Sequence, residues 1–257
     1  MARDWDAATY DRVANPHERW GRGVVGWLTL RGDERVLDAG CGSGRVTAQV
    51  LERLPRGRVI AVDASPSMLA EAGRRLATDR DRVELLLADL RQPLPLAQPV
   101  DAILSTAAFH WVPDHGRLYR NLAAVLRPGG QLAAQYGGAG NIATVVAAVR
   151  ELNLKLKFEF KLGDDWEGPW TFATAEATRG YLEAAGFVEV EAWLHQEPTP
   201  LAPGEPLETY LETVVLGSHL ERLPEAERRP FVHAVAARLP KPELDYVRLN
   251  VSARRAS

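Results

Sequence analysis

Val36-Leu37-Asp38-Ala39-Gly40-Cys41-Gly42-Ser43-Gly44 decides the reading of this chain, together with Arg58-Val59-Ile60-Ala61-Val62-Asp63 downstream. An apolar strand runs into three glycines at alternate positions. From Ser43 onward, Val46, Val50, Leu51 and Leu54 fall at helical spacing. Strand, glycine turn and helix in that order make a ligand cradle: glycine lets the backbone turn sharply and approach a ligand closely. The helix behind it aims unpaired N–H groups at whatever sits above the turn.

Two kinds of nucleotide-bearing ligand use such a cradle, and the glycine spacing separates them. The pattern is GxGxG, and Arg45 stands where a dinucleotide fingerprint would place its third glycine. Asp38, two residues before the first glycine, would repel a pyrophosphate and attract the ammonium group of an amino-acid cofactor. Asp63 closes the second strand, where a carboxylate accepts both ribose hydroxyls; this feature serves either ligand. A nicotinamide-dependent oxidoreductase is therefore the weaker reading.

The chain resembles the class I S-adenosylmethionine-dependent methyltransferases, and the likeness extends beyond the glycine turn. Asp63-Ala64-Ser65-Pro66-Ser67-Met68-Leu69 is similar to the family's ribose-binding turn, and Leu87-Ala88-Asp89-Leu90 to its adenine-contact strand end. Asp101-Ala102-Ile103-Leu104-Ser105 resembles the fourth strand, and Leu126-Arg127-Pro128-Gly129-Gly130-Gln131-Leu132 the turn into the fifth. Within the superfamily the trans-aconitate methyltransferase-like group is the closest likeness, through Ala108-Phe109-His110-Trp111-Val112-Pro113-Asp114-His115, Trp5, Tyr10 and Asp245-Tyr246-Val247-Arg248-Leu249. Residues 141–170 depart from that pattern.

The resemblance implies an α/β fold: a doubly wound, mostly parallel seven-stranded sheet, Rossmann-like, with a helical cap. It implies S-adenosyl-L-methionine as cofactor and S-adenosyl-L-homocysteine as product, held by Asp38, Gly40, Gly42, Asp63, Ala64, Met68, Asp89, Leu90 and Ser105. Asp89 would accept from the adenine amino group, and Leu90 would offer an N–H to the ring. Gly44 serves the turn itself. His110, just past the fourth strand, is the candidate catalytic base or a wall of the pocket. His17 is a lid or surface residue; Tyr10, Trp20, Tyr136, Trp166 and Trp170 are pocket walls or core packing. No metal is expected.

The sequence reads as one methyltransferase domain over 1–257, with an N-terminal helical lid segment at 1–33, a cofactor-binding core at 34–136 and cap insertions at 141–171 and 205–239. The periodicity predicts a helix over 141–160, another from Ala175 to Ala185 ended by Gly186, and a strand from Phe187 to His195. Leu207, Tyr210, Leu211, Val214 and Val215 predict one helical face, and Phe231, Val235 and Leu239 another. The closing alternation from Tyr246 to Val251 reads as a hairpin-type edge strand, whereas the resemblance implies an antiparallel strand inserted in the sheet.

A formal charge of -3 with scattered Lys and Arg forms no basic stripe for nucleic acid. Nor does Ser105-Thr106-Ala107-Ala108 resemble the Asn/Asp-Pro-Pro-aromatic run of base-modifying relatives. Cys41 has no disulfide partner, which points to a reducing compartment, and the charged start of the chain lacks an apolar signal region. The expectation is a cytoplasmic enzyme that methylates a small organic acceptor at a carboxylate or hydroxyl oxygen. The alternatives are a protein or peptide N-methyltransferase and a protein that binds S-adenosylmethionine without methyl transfer.

Overall fold

A computed structural model describes residues 5, 15–155, 166 and 168–257. Its centre is a parallel sheet whose strands alternate apolar residues to both faces. The strands are β1 (Arg35–Ala39), β2 (Arg58–Asp63), β3 (Val83–Leu87), β4 (Val100–Thr106) and β5 (Leu126–Gly137). Leu37, Ile60 and Ile103 enter one core cluster while Val36, Val59, Ala102 and Leu104 enter the other. This period of two, apolar on both sides, is what a strand covered by helices on both faces requires.

The second cluster is covered by α1 (Asn15–Trp27) and α2 (Arg45–Glu52), through Val24, Val25, Leu28, Val46 and Val50. The first is closed by α4 (His115–Val125) and α6 (Ala175–Ala184), through Leu118, Tyr119, Leu122 and Leu182; α3 (Pro66–Arg75) precedes them in the chain. Tyr136, a candidate pocket wall in the sequence, is wholly buried in this cluster, its hydroxyl 2.6 Å from that of Tyr119.

Strand order is β3-β2-β1-β4-β5-β9-β6, where β6 is Phe187–Gln196 and β9 is Val247–Arg255. The order reverses between β1 and β4, and ligands of such sheets bind outside the carboxyl ends of the strands at that switch point. β9 runs antiparallel to β5 and lies between β5 and β6. The edge-strand reading of its alternation is thereby corrected. Its polar residues Arg248 and Asn250, which in an edge strand would face water, are buried.

Close packing divides the chain into two units. One comprises Met1–Ala139, Thr171–His195 and Arg248–Ser257; the other comprises Gly140–Trp170 and Gln196–Val247. The second unit contains α5 (Ala143–Lys155), α7 (Glu205–Tyr210), α8 (Gly217–Leu220), α9 (Glu225–Ala236) and a two-stranded ladder of β7 (Thr199–Pro200) with β8 (Glu243–Leu244). The helix expected over 141–160 starts at Ala143, because Asp245 accepts from the Thr144 N–H (3.0 Å) and hydroxyl (2.6 Å) and fixes the first turn. Residues 156–160, Tyr10 and the side chain of His17 lie outside what is described. Leu207, Tyr210, Leu211, Val214 and Val215 are buried as the periodicity requires, although a π-turn over Leu211–Val215 interrupts the helix. Within this unit Trp166 and Trp170 pack on the buried His219, with ring centroids 4.7 and 5.2 Å from it.

Candidate active site

The turn after β1 is held by contacts that explain each glycine separately. Gly40, Gly42 and Gly44 have φ of 84°, 54° and 79°, in the left-handed region that disfavours any Cβ. A Cβ on Gly40 would lie 2.3 Å from the Ala108 Cβ, so the turn passes directly against the segment leaving β4. A Cβ on Gly44 would crowd Ala72 and Leu76 of α3 at 3.1 Å, which makes Gly44 a packing glycine. Beside Gly42 nothing among the described residues lies within 4 Å of an added Cβ, as a ligand-facing position requires. The N–H groups of Gly40 and Cys41 both donate to the Val62 carbonyl, at 2.8 and 2.9 Å, binding the turn to β2.

Asp38 is completely buried beneath this turn. The Thr47 hydroxyl, on the first turn of α2, donates to its Oδ2 at 2.7 Å; Oδ1 has no hydrogen-bond partner among the described residues. Burial pushes its pKa up to about 7 against the pull of Thr47, and the negative charge of Asp63 adds to the rise. An ionised carboxylate so placed is costly unless a cation meets it. The ammonium of an amino-acid cofactor is such a cation, and the orphaned Oδ1 is the atom that fits it.

The sign of the pH effect follows. Asp38 holds its proton more tightly in the fold than the ordinary carboxylate value of 3.8, so the unliganded fold loses stability as pH rises from about 4 to about 7. On the reading that Asp38 receives the ammonium group, proposed below, cofactor binding needs the ionised form. Affinity for S-adenosylmethionine is therefore expected to fall by about tenfold between pH 8 and pH 6, and calorimetry of Asp38→Asn should show weaker binding with that dependence removed.

Asp63 ties the two sides of the cradle together. Its Oδ2 accepts from the Gly42 N–H at 2.8 Å and its Oδ1 from the Ser65 N–H at 2.9 Å. These two bonds hold the carboxylate across the turn at the end of β2. Ala64 connects Asp63 to Ser65, which caps α3 by accepting from the Met68 N–H at 3.3 Å and so fixes the buried Met68. Trp5 reaches this corner: its N–H donates to Ser65 Oγ, its carbonyl accepts from Ser67, and its ring meets Trp111 edge-on at 5.2 Å.

Three other expected residues have prior engagements. Asp89, past the end of β3, receives the Arg91 Nε–H at 2.9 and 2.8 Å, and the paired guanidinium holds its carboxyl below the usual range. Leu90 is buried in the core, and its carbonyl accepts from Asn121 at 3.2 Å. Ser105 spends its hydroxyl proton on the Ala39 carbonyl at 2.6 Å, bracing β4 against the glycine turn. Thr47, Ala108 and Arg91 were not singled out in the sequence. Only Thr47 carries a local signal, a hydroxyl one turn into the helix that follows the glycines.

β4 is followed by Ala107, whose φ of 55° is rare for a residue with a Cβ and turns the chain against Gly40. A 3-10 turn over Phe109–Trp111 follows. It carries His110, buried between Trp111 and Phe172 at ring distances of 5.1 and 6.0 Å. The Gly137 N–H donates to His110 Nδ1 at 3.3 Å. A backbone N–H only donates, so Nδ1 carries a lone pair and the neutral ring keeps its proton on Nε2.

A wholly buried carboxylate with one unsatisfied oxygen, a glycine turn open at Gly42 and a carboxylate at the end of β2 define a cofactor-dependent transferase site of the adenosyl type. The methyltransferase domain family model matches residues 36–130. The trans-aconitate 2-methyltransferase of Methylobacterium nodulans is 32% identical over 191 residues, which cover 74% of this chain and 67% of that protein. The chain belongs to the class I S-adenosylmethionine-dependent methyltransferases, near the trans-aconitate methyltransferase group, and S-adenosylmethionine is its cofactor.

The trans-aconitate 2-methyltransferase of Deinococcus radiodurans is 29% identical with 91% of this chain and 90% of that protein aligned. The chain spans only about half, 50%, of the Azoarcus sp. relative, to which it is 41% identical over 131 residues. Among solved structures, YcgJ of Bacillus subtilis superimposes with a TM-score of 0.62 at 16% identity, covering 93% of this chain and 99% of that one. The [4+2]-cyclase SpnF matches with 0.59 at 21% identity, covering 93% and 80%. At these identities the likeness concerns the fold, and a cyclase on the same scaffold illustrates why. The nicotinamide reading is set aside. Among the described residues no helix is long and apolar enough to cross a membrane, and no group of three or more His, Cys, Asp or Glu is placed to hold a metal ion.

Proposed function

We propose that the protein methylates a carboxylate oxygen of a small organic acid, with Asp38, Gly40, Gly42, Asp63, Ala64 and Met68 holding S-adenosylmethionine. The observation that carries this reading is the state of His110. With Nδ1 engaged by Gly137, its remaining nitrogen is a donor, suited to orienting an anion and unsuited to taking a proton from one. A carboxylate is ionised at neutral pH and needs no base. The relatives' name, trans-aconitate 2-methyltransferase, supports an acid as acceptor.

When bound, S-adenosylmethionine supplies an electrophilic sulfonium methyl, and transfer to oxygen leaves a neutral thioether. The chain's own contribution is placement: Asp38 fixes the amino-acid end of the cofactor, Asp63 its ribose, and His110 Nε2–H orients the acceptor. Holding the reactants in line accounts for about 7 to 11 kcal/mol of the barrier reduction. Trp5 closes the corner at Ser65, Asp89 and Leu90 border the adenine, and Ser105 supports the turn. The reading includes a cytoplasmic location and no nucleic-acid partner, in keeping with the charge of -3.

His110→Asn keeps an acceptor for the Gly137 N–H and removes the Nε2 group. On this reading kcat falls by less than about tenfold with no new pH dependence, since loss of a true general base costs about 100-fold to 10,000-fold. The function itself is tested by incubating the protein with methyl-labelled S-adenosylmethionine and a panel of small carboxylic acids, phenols and amines. Alkali-labile label in an acid is the expected result; label confined to phenols, amines or macromolecules overturns it.

A further inference from the structure

The turn that carries His110 is too short to hold itself. Phe109–Trp111 is a single 3-10 turn, closed by the Trp111 N–H on the Ala108 carbonyl at 3.0 Å and the Val112 N–H on the Phe109 carbonyl at 2.9 Å. Turns of this length have poor hydrogen-bond geometry and little cooperativity. The chain enters it through Ala107, in the left-handed region at φ 55°, so the approach is strained. Bonds from outside the turn have to fix where the His110 ring points. On its far side the Thr171 N–H donates to the His110 carbonyl at 2.8 Å.

His115 supplies the near side. It is the first residue of α4, whose start is fixed by Asp114 accepting from the Arg117 N–H at 2.8 Å. Its side chain reaches back to place Nε2 3.0 Å from the Phe109 carbonyl oxygen. A carbonyl only accepts, so Nε2 carries the proton; with the Val112 N–H on the same oxygen, both acceptor sites of that carbonyl are filled. The Phe109 carbonyl and the His110 nitrogen belong to one planar peptide unit, so a bond to that oxygen fixes the plane from which the His110 side chain departs. Thr171 fixes the next plane in the same way. The Phe109 ring is wholly buried, 6.0 Å from Tyr119 and 5.4 Å from Tyr136, and anchors the same residue from its other end.

Everything around the His115 ring keeps it to this one bond. It is 2% exposed and lies edge-on to Tyr119, Tyr136 and Tyr181, with ring centroids at 6.3, 5.6 and 6.4 Å. Nδ1 has no hydrogen-bond partner among the described residues. Burial pulls its pKa below the ordinary value, against the Phe109 bond and the charge of Asp114, so the ring is neutral and has a single proton to place. We infer that His115 is a positioning residue for His110: its Nε2–H, aimed by the first turn of α4 at the Phe109 carbonyl, holds the turn that directs His110 at the acceptor. This rests on the reading of His110 as the donor that orients the acceptor, and adds the residue that aims it.

Two substitutions separate the bond from the packing. His115→Phe keeps an aromatic ring against Tyr119 and Tyr136 and removes the donor; His115→Gln sets an amide N–H near the Nε2 position and gives up the ring. With the full chain, S-adenosylmethionine and trans-aconitate, His115→Phe is expected to lower kcat by about threefold to tenfold, as His110→Asn does, with affinity for S-adenosylhomocysteine within about twofold by calorimetry. His115→Gln should keep kcat within about twofold of wild type, and His115→Phe combined with His110→Asn should be no slower than His110→Asn alone. A role in packing alone gives the reverse order, with glutamine worse than phenylalanine, and that order or an additive double variant overturns the inference. Nitrogen NMR of histidine-labelled wild type bound to S-adenosylhomocysteine decides without any variant having to fold. His115 is expected to be neutral at pH 7 with its proton on Nε2; a proton on Nδ1 means that the Phe109 bond is absent and overturns the role. If His110→Asn itself leaves kcat unchanged, the reading of His110 has failed and the positioning role falls with it, whereas a loss in His110→Asn without one in His115→Phe overturns the positioning role alone.

Discussion

Replacing Asp63 by alanine lowers affinity for S-adenosylhomocysteine by about 100-fold to 1,000-fold. The carboxylate is bonded to the N–H groups of Gly42 and Ser65, so its loss removes one set of partners from the cofactor and another from the turn that receives it. Each hydrogen bond to a charged group contributes about 1.5–3 kcal/mol, and two to the ribose at the lower end of that range, about 3–4 kcal/mol together, correspond to the expected factor. Asp63→Asn separates the contributions: its NH2 group would face a backbone N–H on one side, so the turn suffers although one acceptor remains. Calorimetry on both variants reads this, and an alanine variant within about threefold of wild type would remove Asp63 from the site.

The second large effect concerns Gly40. Valine there abolishes cofactor binding and lowers stability by about 3 kcal/mol or more, because a Cβ meets Ala108 at 2.3 Å and a β-branched residue resists a φ of 84°. The contact and the backbone strain are separable. Gly40→Ala alone carries both, whereas Gly40→Ala with Ala108→Gly relieves the collision and leaves the strain, about 1 kcal/mol. Thermal melts should show the double variant recovering part of the Tm lost by the single one; no recovery would mean that Ala108 does not limit the turn.

What was legible in the sequence was local. Strand, glycines, helix and terminal carboxylate fall within about thirty consecutive residues, and their spacing alone places Asp38 and Asp63 at the carboxyl ends of adjacent strands. What was illegible depends on contacts across the sheet. No pattern near Gly40 says that Ala108 will press on it. The alternation from Tyr246 to Val251 by itself reads as an edge strand. Burial of Arg248 and Asn250 beside Trp20 and Gln135 is a tertiary fact that overrides the local pattern. Tyr136, which the sequence leaves as a pocket wall or core packing, is enclosed by Phe109, Tyr119 and His115, which is the core-packing alternative.

The most direct test of the account is a crystal structure of the S-adenosylhomocysteine complex. The account predicts both ribose hydroxyls on the Asp63 carboxylate, the amino group directed at Asp38 Oδ1, and the glycine turn unmoved beneath them. A ligand whose ribose avoids Asp63, or whose amino group is held elsewhere while Asp38 stays without a partner, would contradict it.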